Sequence, residues 1–170
     1  MSLNVAGEQD GLGARRKANG GNMIGGNRSN GVAVVDMGAH DNFIQANLIG
    51  CGPDTTLPVP NGAHGVLLFG GDNNRVGSTN AWEANLIAYN GVHGVNVARG
   101  VGNRILGNSI FGNAWMGINL GTAGVSQAEQ DGVPNRYQRF PALTNVYRGS
   151  LHLPGELQTA SNSEYLVELY

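Results

Sequence analysis

Two stretches of this chain, residues 85–97 and 108–120, repeat one pattern and decide the fold. They read Asn85-Leu86-Ile87-Ala88-Tyr89-Asn90 then Gly94-Val95-Asn96-Val97, against Asn108-Ser109-Ile110-Phe111-Gly112-Asn113 then Gly117-Ile118-Asn119-Leu120. The copies are offset by 23 residues, and a repeat of this length indicates a solenoid or an array. Apolar residues alternate over only about four positions at a time, which is typical of short strands and too short for helices.

Earlier parts of the chain carry the same unit with longer connections. A first column of the alignment holds an asparagine followed two places on by an apolar residue, at Asn22, Asn42, Asn74 and Asn103. A second column holds Asn47, Asn85 and Asn108, and a third begins with Gly31, Gly65, Gly94 and Gly117. Insertions at 51–63 and 78–84 account for the extra length of the earlier copies.

Three short strands per unit, separated by Asn and Gly, predict one coil of a parallel β-helix. Both residue types tolerate the positive φ of tight corners. Coils stack about 4.8 Å apart, so valines and isoleucines form interior columns and stacked asparagine amides hydrogen-bond along the axis. We therefore assign Asn42, Asn74 and Asn103 a structural role. Glycine makes up 28 of the 170 residues, which excludes a helical fold because each interior helix glycine costs about 1 kcal/mol relative to alanine.

Composition limits the classes of function. The formal net charge is -2 and 13% of residues are charged, which argues against nucleic acid because phosphate binding needs clustered basic groups. No apolar run approaches the roughly 18 residues of a membrane span, so no membrane contact is predicted. Cys51 is the single cysteine, which excludes an internal disulfide and CxxC metal motifs.

The ordered series of repeats resembles the bacterial right-handed parallel β-helix repeat proteins of the pectin-lyase-like superfamily. The resemblance covers 22–144 and rests on the repeats at 47–50, 85–90, 108–113 and 116–121, followed by Arg139-Phe140-Pro141-Ala142-Leu143-Thr144. It implies an all-β fold, a right-handed single-stranded solenoid of about four to five coils with a short C-terminal β-hairpin cap. It also implies a secreted or surface bacterial protein, with an extracellular or cell-surface location.

The chain divides into three parts on this interpretation. Residues 1–21 form an N-terminal lead-in or partial first coil, 22–144 form the β-helix repeats, and 145–170 form a β-hairpin. The hairpin strands are predicted at 150–153 and 165–170, joined by a loop that contains Gly155, and similar proteins begin a β-sandwich module here. Because an open coil end leaves unpaired backbone groups, we expect the hairpin to cap the last coil or coil ends to self-associate.

Catalysis is the alternative to a binding or structural role, since the superfamily includes polysaccharide lyases and hydrolases. A lyase needs acids on adjacent coils to hold calcium, with a nearby base, and a hydrolase needs carboxylates about 5–10 Å apart across one groove. No acidic column forms in this alignment, and the weak candidates are three scattered acids, Asp54, Asp72 and Glu83. We predict no catalytic set and no cofactor, and calcium has no support.

Two histidines align one coil apart, His64 before Gly65 and His93 before Gly94. They are weak candidates for a metal pair or a general base, and the alternative is a pair of turn residues. No third ligand aligns with them, so we predict no metal site.

Two arginines align in the same way, because Arg75 and Arg104 each follow a ladder asparagine. Stacked outward guanidinium groups repel unless an anion lies between them, and arginine binds carboxylates in a bidentate manner. We predict a contact site for an acidic sugar or another anion, with simple solvated arginines as the alternative. The candidate stacking surfaces are Trp82, Tyr89 and Trp115.

The sequence therefore predicts a β-helix scaffold segment that is carbohydrate-binding or structural, without catalysis. The alternative is part of a polysaccharide lyase or glycoside hydrolase acting on acidic polysaccharide, and a third interpretation is a rigid spacer in an adhesin. The predicted partner is a polysaccharide or other glycan whose identity the sequence does not give.

Overall fold

The computed structural model of the chain describes residues 21–121, 133–137, 142–143 and 155–156. Residues 21–121 form a right-handed parallel β-helix of three stacked sheets, in which coils 1 to 3 contribute one strand to each sheet and coil 4 contributes one strand to two of them. Sheet A contains β1 (Met23–Ile24), β4 (Leu48–Ile49), β7 (Leu86–Ala88) and β10 (Ser109–Phe111). Sheet B contains β2 (Val32–Val35), β5 (Val66–Phe69), β8 (Val95–Arg99) and β11 (Ile118–Leu120). Sheet C contains β3 (Phe43–Ile44), β6 (Arg75–Gly77) and β9 (Arg104–Leu106).

Three corners join the sheets of each coil. The A–B corner comprises 25–31, 50–65, 89–94 and 112–117 in coils 1 to 4, and the B–C corner comprises 36–42, 70–74 and 100–103. The C–A corner comprises 45–47, 78–85 and 107–108. Both sequence insertions lie in corners, so they lengthen a turn without disturbing the stacked strands.

The interior is filled by aliphatic columns that run along the axis. Register pairs Ile24 with Ile49, Ile49 with Ile87, and Ile87 with Ile110 in sheet A. Sheets B and C add the columns Val32–Val66–Val95–Ile118, Val34–Leu68–Val97–Leu120 and Ile44–Val76–Ile105. Each fully buried side chain of this size contributes about 1.5–3 kcal/mol relative to exposure. The predicted fold and its valine and isoleucine columns are confirmed.

Asparagine ladders occupy all three corners. The B–C ladder is Asn42–Asn74–Asn103–Asn135, the C–A ladder is Asn22–Asn47–Asn85–Asn108, and the A–B ladder is Asn27–Asn61–Asn90–Asn113. In the B–C ladder, Asn74 Oδ1 accepts the backbone N–H of Asn42 at 3.0 Å and its Nδ2 at 2.9 Å. Asn74 Nδ2 then donates to Asn103 Oδ1 at 2.9 Å. The assignment of Asn22 to the column of Asn42 was wrong, because Asn22 donates to Asn47 in the C–A ladder.

The glycine that precedes each of the first three strands of sheet B is required by the close approach of neighbouring coils. A Cβ atom built on Gly65 would lie 2.6 Å from Ile87 Cγ2 and 2.7 Å from the carbonyl oxygen of Gly94. A Cβ on Gly94 would meet Gly117 and Ile110 at the same short distances of 2.6 Å. The glycine column therefore exists to seat the coils at their stacking distance.

The C-terminal strand pairing differs from the prediction. Gly155, predicted in a loop, lies in β13 (Gly155–Glu156), which pairs antiparallel with β12 (Ala142–Leu143). The Pro154-Gly155 dipeptide is a turn signal. Strand pairing, however, uses the backbone N–H and C=O groups, which glycine supplies as well as any other residue. The predicted strands at 150–153 and 165–170 and the lead-in at 1–20 lie outside the described residues.

Replacement of the buried Asn74 by alanine is expected to lower the free energy of unfolding by about 2–4 kcal/mol, because the partly buried donors of Asn42 lose their acceptor. Urea unfolding followed by circular dichroism measures the change. The control is Asn73→Gly at the exposed neighbour, whose φ of 58° suits glycine. Equal losses in both variants would show that the ladder does not stabilise the corner.

Replacement of Gly65 by alanine is expected to cost about 1–3 kcal/mol through overpacking. Gly38 provides the matched control, because a Cβ there meets nothing within 4 Å. We expect Gly38→Ala to stay within about 0.5 kcal/mol of the parent in the same unfolding measurement. A Gly65→Ala protein as stable as the parent would contradict the observed coil spacing.

Candidate functional site

The two predicted arginines meet on the outer face of sheet C. Register pairs Arg75 with Arg104, and it pairs Arg75 with Phe43 on the other side. Both arginines are exposed, and no ion pair joins either guanidinium group to a carboxylate among residues 21–121. The strand spacing places the two Cα atoms about 4.8 Å apart. This arrangement is an unneutralised cationic column along the helix axis.

Two arginines each contact an aromatic ring of the preceding coil. The guanidinium carbon of Arg75 lies 5.1 Å from the ring centroid of Phe43. In sheet B, Arg99 stands 4.8 Å over the ring of Phe69, its register partner. A cation over an aromatic face is attracted by the ring quadrupole, by about 0.5–1 kcal/mol at an exposed site. These contacts reduce the freedom of Arg75 and Arg99 before any ligand arrives.

The predicted stacking residues do not join the arginines in one site. Trp82 lies in the C–A corner, whereas Tyr89 and Trp115 lie in the A–B corner. Trp82 and Trp115 are 58% and 71% exposed, and Tyr89 packs edge to face against Phe111 with centroids 5.6 Å apart. The aromatic partner of Arg75 is instead Phe43, which the sequence reading did not select.

The three candidate acids lie at three different corners. Asp54 is in the A–B insertion, Asp72 in the B–C corner and Glu83 in the C–A corner. Each has a structural contact: Asp54 Oδ1 accepts the N–H of Leu57 at 2.9 Å, Asp72 Oδ1 accepts that of Val101 at 2.8 Å, and Glu83 accepts from Gln45. The hydrogen bond from the Leu57 N–H lowers the pKa of the exposed Asp54 carboxyl. No shared groove brings these carboxylates together.

Potential metal ligands are dispersed in the same way. Within the described part of the chain, no group of three or more His, Cys, Asp or Glu side chains could hold a metal ion. The same residues include no helix long and apolar enough to cross a membrane.

Burial, followed by the charge of Asp54, raises the pKa of the Cys51 thiol, which keeps this buried cysteine protonated and unreactive.

The two predicted histidines stack on each other in the A–B corner. Their ring centroids are 5.2 Å apart and their planes differ by 4°. His64 is half-buried, His93 is 7% exposed, and the edge of the His93 ring meets Trp115 with centroids 5.7 Å apart. The two histidines that align in the sequence therefore contact each other directly in the structure.

The histidines stand in a fourth column, beside the glycines, that begins with Asn30 and ends with Met116. Asn30 Oδ1 accepts the N–H of His64 at 3.1 Å, and His64 Nδ1 faces the N–H of His93 at 3.3 Å. His93 Nδ1 in turn accepts the N–H of Met116 at 3.1 Å. Burial and the neighbouring His93 lower the pKa of His64, and burial lowers the pKa of His93. Both rings are therefore held neutral as hydrogen-bond acceptors.

Two concave regions lie at the ends of the described coils. One, of about 270 Å³, is lined by the first coil, including Ile24, Val34 and Ile44. The other, of about 300 Å³, lies beside Phe111, Trp115 and Ile118 in coil 4. Their walls combine core side chains and ladder amides with exposed rings such as Phe43 and Trp115, and none of the lining residues is charged, so these regions lack the convergent polar groups of a ligand pocket.

Sequence reading missed one ladder and one ladder member. The A–B ladder was detectable, because Asn27, Asn61, Asn90 and Asn113 each stand four residues before the glycine of the third column. Asn135 was also detectable from its dipeptide, since Asn135-Arg136 repeats Asn74-Arg75 and Asn103-Arg104. Its separation of 32 residues from Asn103 equals that of Asn74 from Asn42, so the spacing also indicated it.

Comparisons with known proteins give no relative for this chain. No family model, no curated protein and no solved structure matches it. The fold therefore rests on the parallel register and the ladders, and the function has to be argued from the surface that these create.

Proposed function

We propose that this chain is a non-catalytic β-helix scaffold that contacts an acidic glycan through the arginine column of sheet C. The observation that carries the proposal is the register pairing of Arg75 with Arg104 on an exposed face, where no carboxylate of residues 21–121 neutralises them. Two like charges one strand spacing apart repel, and an anion between them removes that cost. Carboxylate or sulfate groups fit the planar guanidinium fork in a bidentate manner.

The geometry favours a polymer over a small anion. The column runs along the helix axis, and Arg136 is a further exposed arginine that follows the ladder residue Asn135 above Asn103. A chain with repeated acidic groups would contact successive coils at once, which raises the overall affinity above that of a single group. Phe43, 45% exposed at the lower end of the column, adds apolar surface for a sugar ring.

The wider assignment is also a proposal. The assignment to a bacterial secreted or surface protein of the pectin-lyase-like kind rests on the resemblance of the repeat motifs. The lyase or hydrolase alternative is not favoured by any geometry of residues 21–121, where the candidate acids lie at three corners.

The double variant Arg75→Gln/Arg104→Gln is expected to bind polygalacturonate about tenfold more weakly than the parent, since two exposed charge contacts contribute about 1–2 kcal/mol together. Isothermal titration calorimetry at low salt measures the affinity. Binding by the parent should also weaken as salt rises, because the contact is exposed to screening.

The matched control is Arg28→Gln, which removes an exposed arginine of the A–B corner and should leave the affinity unchanged. A neutral glucan should not bind any of the proteins. If the parent protein fails to bind sulfated and carboxylated polymers alike, the proposal is wrong and a rigid spacer becomes the better interpretation.

A further inference from the structure

The side chains of His64, Asn96 and Asn119 form a chain of polar contacts between two backbone groups. One of these groups, an N–H, can only donate a hydrogen bond, and the other, a carbonyl, can only accept one. At one end the N–H of His93 points at His64 Nδ1 at 3.3 Å, and at the other Gly121 O lies 2.7 Å from Asn119 Nδ2. Between them, His64 Nε2 lies 3.2 Å from Asn96 Nδ2, and Asn96 Oδ1 lies 2.9 Å from Asn119 Nδ2.

One contact in this chain cannot be a hydrogen bond. The carbonyl of Gly121 requires the amide NH₂ of Asn119, so Asn96 presents its oxygen to Asn119 and its NH₂ to His64. The N–H of His93 requires an unprotonated Nδ1, so a neutral His64 carries its proton on Nε2, where it faces the NH₂ of Asn96. Turning the Asn96 or Asn119 amide by 180°, which exchanges its oxygen and its NH₂ group, only transfers the contact between two like groups to a neighbouring pair of atoms and does not remove it.

The same network contains a second unsatisfied group. Asn119 is 3% exposed, and its Oδ1 atom has no hydrogen-bond partner among the residues that the structure describes. Buried polar atoms are nearly always paired in native proteins, and exceptions often mark strain or function. The outer face of sheet B at coils 3 and 4 is therefore held together by a polar network that is incompletely satisfied when both rings are neutral.

Protonation of either ring adds a further mismatch to this network, at Nδ1 of that ring. An imidazolium at His64 has N–H donors facing N–H donors on both sides, and an imidazolium at His93 loses the bond from the Met116 N–H. Two protonated rings would also place like charges 5.2 Å apart. The groups that contact the two rings, besides each other, are Asn96 of coil 3 and the Trp115-Met116 turn of coil 4, and Asn30 of coil 1 accepts the backbone N–H of His64. None of these recorded contacts is a carboxylate that would compensate the charge.

We propose that the His64–His93 pair is a proton-sensitive lock on the A–B corner, closed when both rings are neutral and released on mild acidification. Release frees the N–H groups of His93 and Met116, and with them the corner of coils 3 and 4 that carries the exposed Trp115. The lock is independent of the glycan surface, because Arg75 and Arg104 lie on sheet C.

The direction of the pH effect follows from proton linkage. Because the folded state lowers the pKa of both histidines below the usual 6.5, the unfolded chain binds more protons just below that pH, and stability falls as the pH falls. The stability is fully present above pH 6.5. Carboxylates titrate at lower pH, so the window from 6.5 to 5 reports mainly on histidine.

The first test compares urea midpoints of the parent and of His64→Asn/His93→Asn between pH 8 and 5. Asparagine keeps an acceptor in the column, as Asn30 does in coil 1. We expect the parent midpoint to fall below pH 6.5 and the double variant to show little change there. The control His40→Asn, at an exposed histidine paired with Asp41, should keep the parent behaviour. A double variant with the parent pH dependence would overturn the proposal.

The second test needs no loss of histidine and uses Asn96→Asp. A carboxylate accepts from both His64 Nε2 and Asn119 Nδ2, so it removes the mismatch and pairs with a protonated ring. In NMR titrations, His64 should change from titrating below pH 6.5 to titrating above it, and the acid-induced fall in midpoint should shrink. Asn119→Asp is the control, because it places a carboxylate against the carbonyl of Gly121 and should destabilise the fold. If His64 of the parent titrates at or above pH 6.5, the lock does not exist.

Discussion

The hydrogen bond from the Nδ2 group of one ladder asparagine to the Oδ1 atom of the next sets the register of this β-helix. The strands are only two to five residues long, so strand pairing alone holds each coil weakly. A carboxamide can both donate and accept, which allows a column to continue through every coil with all its polar atoms paired. Because each Oδ1 also accepts a backbone N–H, the ladder fixes the side chain and the turn together.

Register then determines the chemistry of the outer surface. Once the corners are fixed, outward positions of equivalent number lie directly above one another, as Phe43, Arg75 and Arg104 do in sheet C. The same rule brings His64 onto His93 in a column that begins with Asn30. Histidine accepts the neighbouring N–H as asparagine does, but its second ring atom faces outward, to Asn96, and carries a proton that the site does not accommodate.

Much of the fold was predictable because it repeats. The offset of Asn85 from Asn108 and the glycine column gave the coil length and the interior columns. Asn22 was misplaced because the local pattern of an asparagine and then an isoleucine occurs at both the C–A and the B–C corners. The register pairing of Met23 with Leu48 places Asn22 at the C–A corner. In the sequence, the C–A corner differs from the B–C corner only by the short connection from Ile44 to Asn47.

The surface was less predictable than the core. Alignment found the arginine and histidine pairs, since stacking alone brings such residues together. It did not select Phe43 as the aromatic partner of Arg75, although Phe43 follows Asn42 as Arg75 follows Asn74 and so stands in the same column. The polar mismatch at Asn96 has no sequence signature, since it depends on which ring atom faces which amide atom.

Hydrogen exchange of the asparagine side-chain amides, followed by ¹⁵N NMR, tests the ladder account most directly. The buried Nδ2 groups of Asn74, Asn85 and Asn90 should exchange orders of magnitude more slowly than the exposed amide of Asn80. Slow exchange at all three corners would show that the coils are held in register by these amides. Ladder amides that exchange as fast as Asn80 would contradict the in-register stacking on which the fold and both proposed surfaces depend.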